Sequence, residues 1–543
     1  MKLSKESLKN RAAWEAAGIK LPSYDFNAVA ENTKKAPVWV HFGIGNIFRI
    51  FIGGIADTLI STGEMQKGIT CVETFDFDVV DKIYDPYDNL VLGVTLKADG
   101  STEKQVIASL TEAIKAKTGE KENWKRLREI FINPDFQLCS FTITEKGYAL
   151  KNADGKYFPF VEADLAAGCG SEDAAPAYNS AMSVVAALLY ERFKAGKYPM
   201  AVVSMDNCSH NGEKLMSSIV TVAKEWVGRG FAPEEFASWL QDESCVSFPW
   251  SMIDKITPRP APSVQQELEK LGLEEMAPVV TSKNTYIAPF VNAEGPQYLV
   301  VEDKFPNGRP PFEKAGVYMT DRDTVNKVER MKVTTCLNPL HTALAVYGCL
   351  LGYTLIADEM KDPELSELVR RIGPVEGMPV VTDPGILSPE SFVDEVINIR
   401  IPNPYMPDTP QRIATDTSQK VGIRYGETIK AYVAKDGSAC KLDAIPLAIA
   451  GWLRYLLGVD DEGKAFERSS DPMLPELSEA LDGITLGAEN AGLHEKLAPI
   501  LSNAHIFGTD LYQAGIGEKI EGFFAEELAG PGAVRATLKK YLG

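Results

Sequence analysis

A chain of 543 residues that is 45% hydrophobic and 24% charged holds enough apolar side chains for two sizeable cores, which excludes a largely disordered or fibrous protein. Its formal net charge of −19 excludes the clustered basic surface that nucleic acid or an anionic membrane demands. No apolar run is long enough to span a bilayer, and the Met1–Glu6 start lacks a signal-peptide core. The expectation is therefore a cytoplasmic monomer or small homo-oligomer that acts on a small molecule.

In chain order, Pro37–Phe42 has strand-like residues and runs into Gly43-Ile-Gly45-Asn46-Ile-Phe48-Arg49, after which the pattern is helical through Ile60. A strand, glycine turn and helix let a backbone approach a pyrophosphate, whose charge the helix N-terminus favours. Two glycines alone also suit a tight turn without ligand, since Phe48 stands where a third glycine is usual. The next strand, Ile69–Glu73, ends in an acid placed to accept from an adenosine ribose and to repel a 2'-phosphate, which favours NAD over NADP; Asp76 and Asp78 can share that role.

Strands at Leu138–Thr144 and Ala201–Met205 follow, with a helix over Ser180–Lys194 between them. Each strand ends in polar residues, Glu145–Tyr148 and Asp206–Gly212, where open α/β sheets meet their ligands, and Gly168–Pro176 between them reads as a surface loop. Beyond Tyr318 the periodicity turns helical, over Asn338–Tyr353, Asp362–Arg371, Pro389–Ile399, Ala444–Leu457 and Leu493–Leu501. The predicted class is α/β, with a Rossmann-like NAD-binding domain over residues 1–318 and a mostly α-helical substrate domain over 319–543.

The stretch Glu329–Leu344 sets Lys332, Asn338 and His341 ahead of an apolar helix. A lysine held out of water can work as a base near neutral pH, an amide can donate to an oxyanion, and an imidazole can hold a hydroxyl. An amphipathic helix with a solvated lysine is the plainer alternative. The eight cysteines are scattered and the five histidines form no helical metal pair, so chemistry on alcohols and ketones is expected without a metal, by hydride transfer.

The chain resembles the polyol-specific long-chain dehydrogenases, the mannitol dehydrogenase family, in five blocks between about His41 and Lys420. They are His41–Arg49, Thr142–Tyr148, Met205–Asn207 with His210–Gly212, Phe248–Pro258, and Val301–Pro310 leading to Glu329, Lys332, Asn338 and His341. The resemblance implies Lys332 as general base, Asn207 and Asn338 as oxyanion-side donors, His341 orienting substrate and Glu329 relaying the proton. It implies cofactor contacts at Gly43, Gly45, Asn46, Phe48, Arg49 and Glu73, and substrate contacts at Asp254, Arg412 and Lys420. A base that works in both directions also needs an amine pKa brought down toward neutrality.

Two features depart from the family pattern. Lys332 and Asn338 stand one residue further apart than usual, and Pro339 removes an amide that a straight helix would use, so a break or one-residue bulge is expected between them. A helix merely capped by Asn338 is the alternative. Ile253 and Lys255 replace the usual valine and arginine. Within the family, the Cys336–Leu344 wording resembles the members that reduce fructuronate to mannonate. A sugar acid then requires a cation beyond Lys332, with Arg412 or Lys420 as candidates. Tagaturonate reduction, mannitol 2-dehydrogenation and a catalytically silent NAD sensor remain the other readings.

Overall fold

The computed structural model describes every residue except Ala491 and divides into two compact units. The first comprises Met1–Lys97 and Ser101–Asn326; the second comprises Ala98–Gly100 and Lys327–Gly543.

The first unit is built on six parallel strands: β1 (Trp39–Phe42), β2 (Ile69–Glu73), β3 (Leu110–Lys115), β4 (Leu138–Phe141), β5 (Met200–Ser204) and β6 (Val246–Ser247). Their spatial order is β3-β2-β1-β4-β5-β6, the doubly wound dinucleotide-binding order, in which β1 and β4 flank the crevice where the winding reverses. Strands β1, β2, β4 and β5 are buried along their whole lengths because helices cover both faces. Side-chain alternation sends Val40 and Phe42 into one core, and Trp39 into the other with Ile69 and Leu138.

The strand expected over Leu138–Thr144 stops at Phe141, because residues 142–144 turn and Thr144 adopts φ 64°. The 180–194 helix forms over Ala181–Gly196, with the Ser180 hydroxyl accepting the Met182 amide as its cap. Among the described residues, three smaller sheets go beyond the expected elements. One contains the antiparallel pair Val91–Leu96 and Thr102–Ile107, another pairs Ser251–Asp254 with Tyr298–Glu302, and the least pairs Val279–Val280 with Tyr286–Ile287.

The second unit is helical. After α1 (Arg322–Met331) the chain makes a π turn, Lys332–Cys336, and then enters α2 (Asn338–Leu350). Helix α3 (Ala444–Leu456) is buried at every position, which is possible because its apolar residues run all round it and its N-terminus is satisfied internally. The Glu376 carboxylate accepts the amides of Asp443, Ala444 and Ile445, the donors that a buried helix start would otherwise leave bare. The Tyr347 hydroxyl of α2 lies within hydrogen-bond distance of Leu447 O and Glu527 Oε1, both at 2.7 Å, and Gly451 leaves room for its ring.

Candidate active site

In the first unit, the glycine turn is fixed from both sides. The Gly43 amide donates to Val72 O at 3.0 Å and its carbonyl accepts the Thr142 hydroxyl at 2.9 Å. At φ 87°, with Thr142 O 2.3 Å from where a Cβ would lie, only glycine fits there. A Cβ on Gly45 would meet nothing within 4 Å, so this side of the turn is open for a ligand to approach the backbone. The helix begins at Asn46, widens through the π turn Phe48–Ile52 and continues as Gly53–Ser61.

Phe48 and Arg49, expected among the cofactor contacts, carry side chains that turn into the core. Both are fully buried. The Phe48 ring stacks on His41, with centroids 4.0 Å apart, so it supports the turn from beneath. Arg49 donates to Pro289 O at 3.1 Å and to Asn46 Oδ1 at 3.4 Å, and burial pushes its guanidinium down to about 10. Through the second of these bonds it positions Asn46. His41 is equally buried, between the Ser140 and Thr142 hydroxyls, and desolvation holds it neutral.

Glu73, expected to meet a ribose, is the last residue of β2. Its Oε1 accepts the amides of Thr74, Phe75 and Asp76, while Oε2 has only the long 3.4 Å bond from Ile44 N. Burial raises its pKa and the amides oppose that shift. Of the alternatives, Asp76 accepts the Thr281 hydroxyl at 2.6 Å, and Asp78 accepts Ser282 N at 2.9 Å and the Lys82 ammonium at 3.0 Å. Phe75, two residues beyond the acid, leaves its ring 65% exposed with the Lys283 ammonium 5.1 Å from its centroid.

At the end of β5, Asp206 accepts Ile143 N (2.8 Å), Thr144 N (2.9 Å) and the Tyr148 hydroxyl (2.5 Å), tying this strand end to the loop after β4. Buried Asn211 donates to Asp206 O and Ser251 O, both at 3.0 Å. Between them Asn207 is left exposed. Asp206 and Asn211 escaped the residue-level reading, although both lie inside the quoted Met205–Gly212 block. Asp254 is buried at the end of its strand.

In the second unit, Lys332 opens the π turn and is 5% exposed, which removes the solvated-lysine alternative. The turn closes through Leu337 N to Lys332 O at 3.1 Å, and is the bulge that the spacing predicts. Asn338 is the first residue of α2. The cap position belongs to Leu337, with no side-chain cap bond, so the capping alternative also fails. Gly377 lets a second π turn, Arg371–Gly377, lie against Thr335. Glu329 is partly exposed one turn before Lys332.

His341 keeps an edge accessible but is enclosed enough that desolvation pushes it down to about 4, against the opposing pull of Asp408. Arg400, Arg424 and Arg412 press in the same direction as burial. Arg412 is held by Asp408 at 2.5 Å, and Lys420 donates to Thr415 O at 2.5 Å. Burial and the neighbouring Arg424 lower the Lys420 pKa. Among the described residues, no group of three or more His, Cys, Asp or Glu is arranged to hold a metal.

The same sequence matches two family descriptions, the mannitol dehydrogenase Rossmann domain over residues 37–314 and the mannitol dehydrogenase C-terminal domain over 324–523. The chain belongs to the mannitol dehydrogenase family. One member, D-mannonate oxidoreductase of Thermotoga maritima, is 53% identical over 546 aligned positions, covering 100% of this chain and 99% of the relative. Mannitol 2-dehydrogenase of Pyrenophora tritici-repentis is 30% identical over 84% of this chain and 75% of its own length. Among solved structures, the Pseudomonas fluorescens mannitol 2-dehydrogenase complex with NAD and D-mannitol superposes with a TM-score of 0.70 at 26% identity, over 100% of this chain and 99% of that one. A substrate-free D-sorbitol dehydrogenase shares the fold, with a TM-score of 0.78 at 23% identity and 100% coverage of both chains. Among the described residues no helix is long and apolar enough to cross a membrane.

Proposed function

We propose that this family member reduces D-fructuronate to D-mannonate with NADH, and runs the reverse reaction with NAD. What carries the reading is the buried Lys332 turn, with Asn338 and His341 following on one helix, in a chain 53% identical to a D-mannonate oxidoreductase along its whole length.

The dinucleotide fits the first unit: Gly43 and open Gly45 admit a pyrophosphate, Asn46 starts the helix behind it, and Glu73 suits a ribose with free hydroxyls. When bound, it supplies or accepts the hydride at the fifth carbon. Lys332 gives a proton to the carbonyl oxygen as the ketone is reduced, and takes the hydroxyl proton in the other direction. Asn338 donates to that oxygen and stabilises the charge it develops, without moving a proton. Neutral His341 holds a neighbouring hydroxyl. Asp254 binds substrate, and Glu329 passes the lysine's proton toward water.

The test is NADH oxidation with D-fructuronate, D-tagaturonate and D-fructose supplied in turn. Fructuronate should be turned over fastest. Equal rates with fructose would reject a sugar-acid enzyme, a preference for tagaturonate would reassign the epimer, and NADH binding without any turnover would favour a sensor.

A further inference from the structure

Arg424 is a largely buried cation that has no acidic partner among the described residues. It lies in the π turn Gly422–Gly426, and its Nη1 donates to the Thr342 hydroxyl at 2.6 Å. That hydroxyl donates in turn to Asn338 O at 3.0 Å, so the guanidinium is attached to the helical turn that carries Asn338 and His341. Tyr425, the next residue, donates to Pro339 O at 3.1 Å and fixes the same two elements together. Neither Nε nor Nη2 of Arg424 makes a bond within the protein, and neither is sealed from solvent. By contrast, Arg412 is paired with Asp408 and its side chain is 68% exposed, and the Lys420 amine is bonded to a carbonyl.

We infer that Arg424 is the residue that recognises the carboxylate of a sugar-acid substrate, with its free Nε–Nη2 edge receiving the two carboxylate oxygens. The inference rests on the sugar-acid reading above and names the cation which that reading requires. A guanidinium presents two parallel N–H donors that match a carboxylate, and the match is strongest where water is scarce. A buried charge without a counter-charge is unfavourable, and a bound carboxylate relieves it. The same anion eases the mutual repulsion of Arg424, Lys420 and Arg412, which are close enough to depress the Lys420 amine. A hexitol or neutral ketose lacks that carboxylate and leaves the charge uncompensated.

The experiment compares kcat and KM for D-fructuronate in the full-length wild type, Arg424→Gln, Arg424→Lys and Thr342→Val, with the KM for NADH as a check on the fold. Removing a charged hydrogen-bond partner should raise the fructuronate KM about a hundredfold in Arg424→Gln, with kcat changed far less and the NADH KM unmoved. Arg424→Lys should recover part of the loss, ending about tenfold above wild type, because it keeps the charge and loses the fork. Thr342→Val removes the hydroxyl that aims the guanidinium and should raise KM about fivefold, which gives an independent reading should Arg424→Gln fail to fold. An unchanged KM in Arg424→Gln, or a fall in kcat alone, would overturn the assignment. Wild type without activity on any hexuronate would instead defeat the sugar-acid reading itself, before any variant is compared.

Discussion

Lys332 is a lysine kept from water at the first position of a widened helical turn. Its neighbours on α2 suit a proton transfer because each can act without changing its own charge. Asn338 has no titration, and His341, pushed down to about 4, stays neutral through the ordinary assay range. The acid limb of the rate profile should therefore lie near pH 4 wherever it reflects His341. Lys332→Ala should lower kcat by about 10²–10⁴-fold while NADH still binds, as the loss of a positioned acid-base group implies. Equilibrium NADH binding together with single-turnover rates separates the two effects, and near-normal turnover would take the proton transfer away from this lysine.

At the scale of elements, widened turns recur in the second unit, at Lys332–Cys336, Arg371–Gly377, Val396–Arg400 and Gly422–Gly426. A π turn inserts one residue into a helix and re-aims everything after it, at the expense of regular hydrogen bonding, so such turns persist where surrounding contacts hold them. Here the Thr428 hydroxyl donates to Thr334 O at 3.2 Å, and Gly377 lets the second turn approach the first. A Cβ at Gly377 would stand 2.7 Å from Thr335 Cγ2, within the turn that Lys332 opens. Gly377→Ala should destabilise the protein by about 1–3 kcal/mol through overpacking and should lower kcat more than it alters the NADH KM. Urea denaturation and steady-state kinetics measure the two parts, and a variant with normal stability and rate would show that the turns do not brace each other.

For the whole molecule, acids buried in the second unit contribute to the response to pH. Glu359 is fully buried, neither of its oxygens has a partner, and desolvation raises it to about 10. Between its ordinary value of 4.5 and about 10 the folded protein keeps a proton that the unfolded chain releases, so this group lowers stability as pH rises through that window. Glu527, raised to about 8, acts in the same direction. The slope for one such proton is about 1.4 kcal/mol per pH unit. Glu359→Gln, uncharged at every pH, should melt at a higher temperature than wild type at pH 8 and lose less stability between pH 5 and 9. Below about pH 4.5 the two proteins should converge. Parallel melting curves across pH would mean that Glu359 is ionised in the fold.

Much of this was legible along the chain. The order of strand, glycine turn and acid, the helical second half, and the defect between Lys332 and Asn338 all follow from local rules: side-chain period, glycine's access to positive φ, and proline's missing amide. Those rules act over a few residues and need no partner, so sequence alone determined them. It could not decide which way a side chain points once distant segments arrive. Phe48 and Arg49 belong to the glycine fingerprint, yet His41 and Pro289 draw them inward. Asp76 and Asp78 rank beside Glu73 in the sequence, and in the fold Thr281 and Ser282 engage them. Arg412 and Lys420 are the candidate cations along the chain, but Asp408 pairs with the first and the Thr415 carbonyl holds the second, whereas Arg424 has no acid beside it among the described residues. The tertiary structure decided these roles because a polar group removed from water must find its complement, and that complement is supplied by whichever segment packs against it.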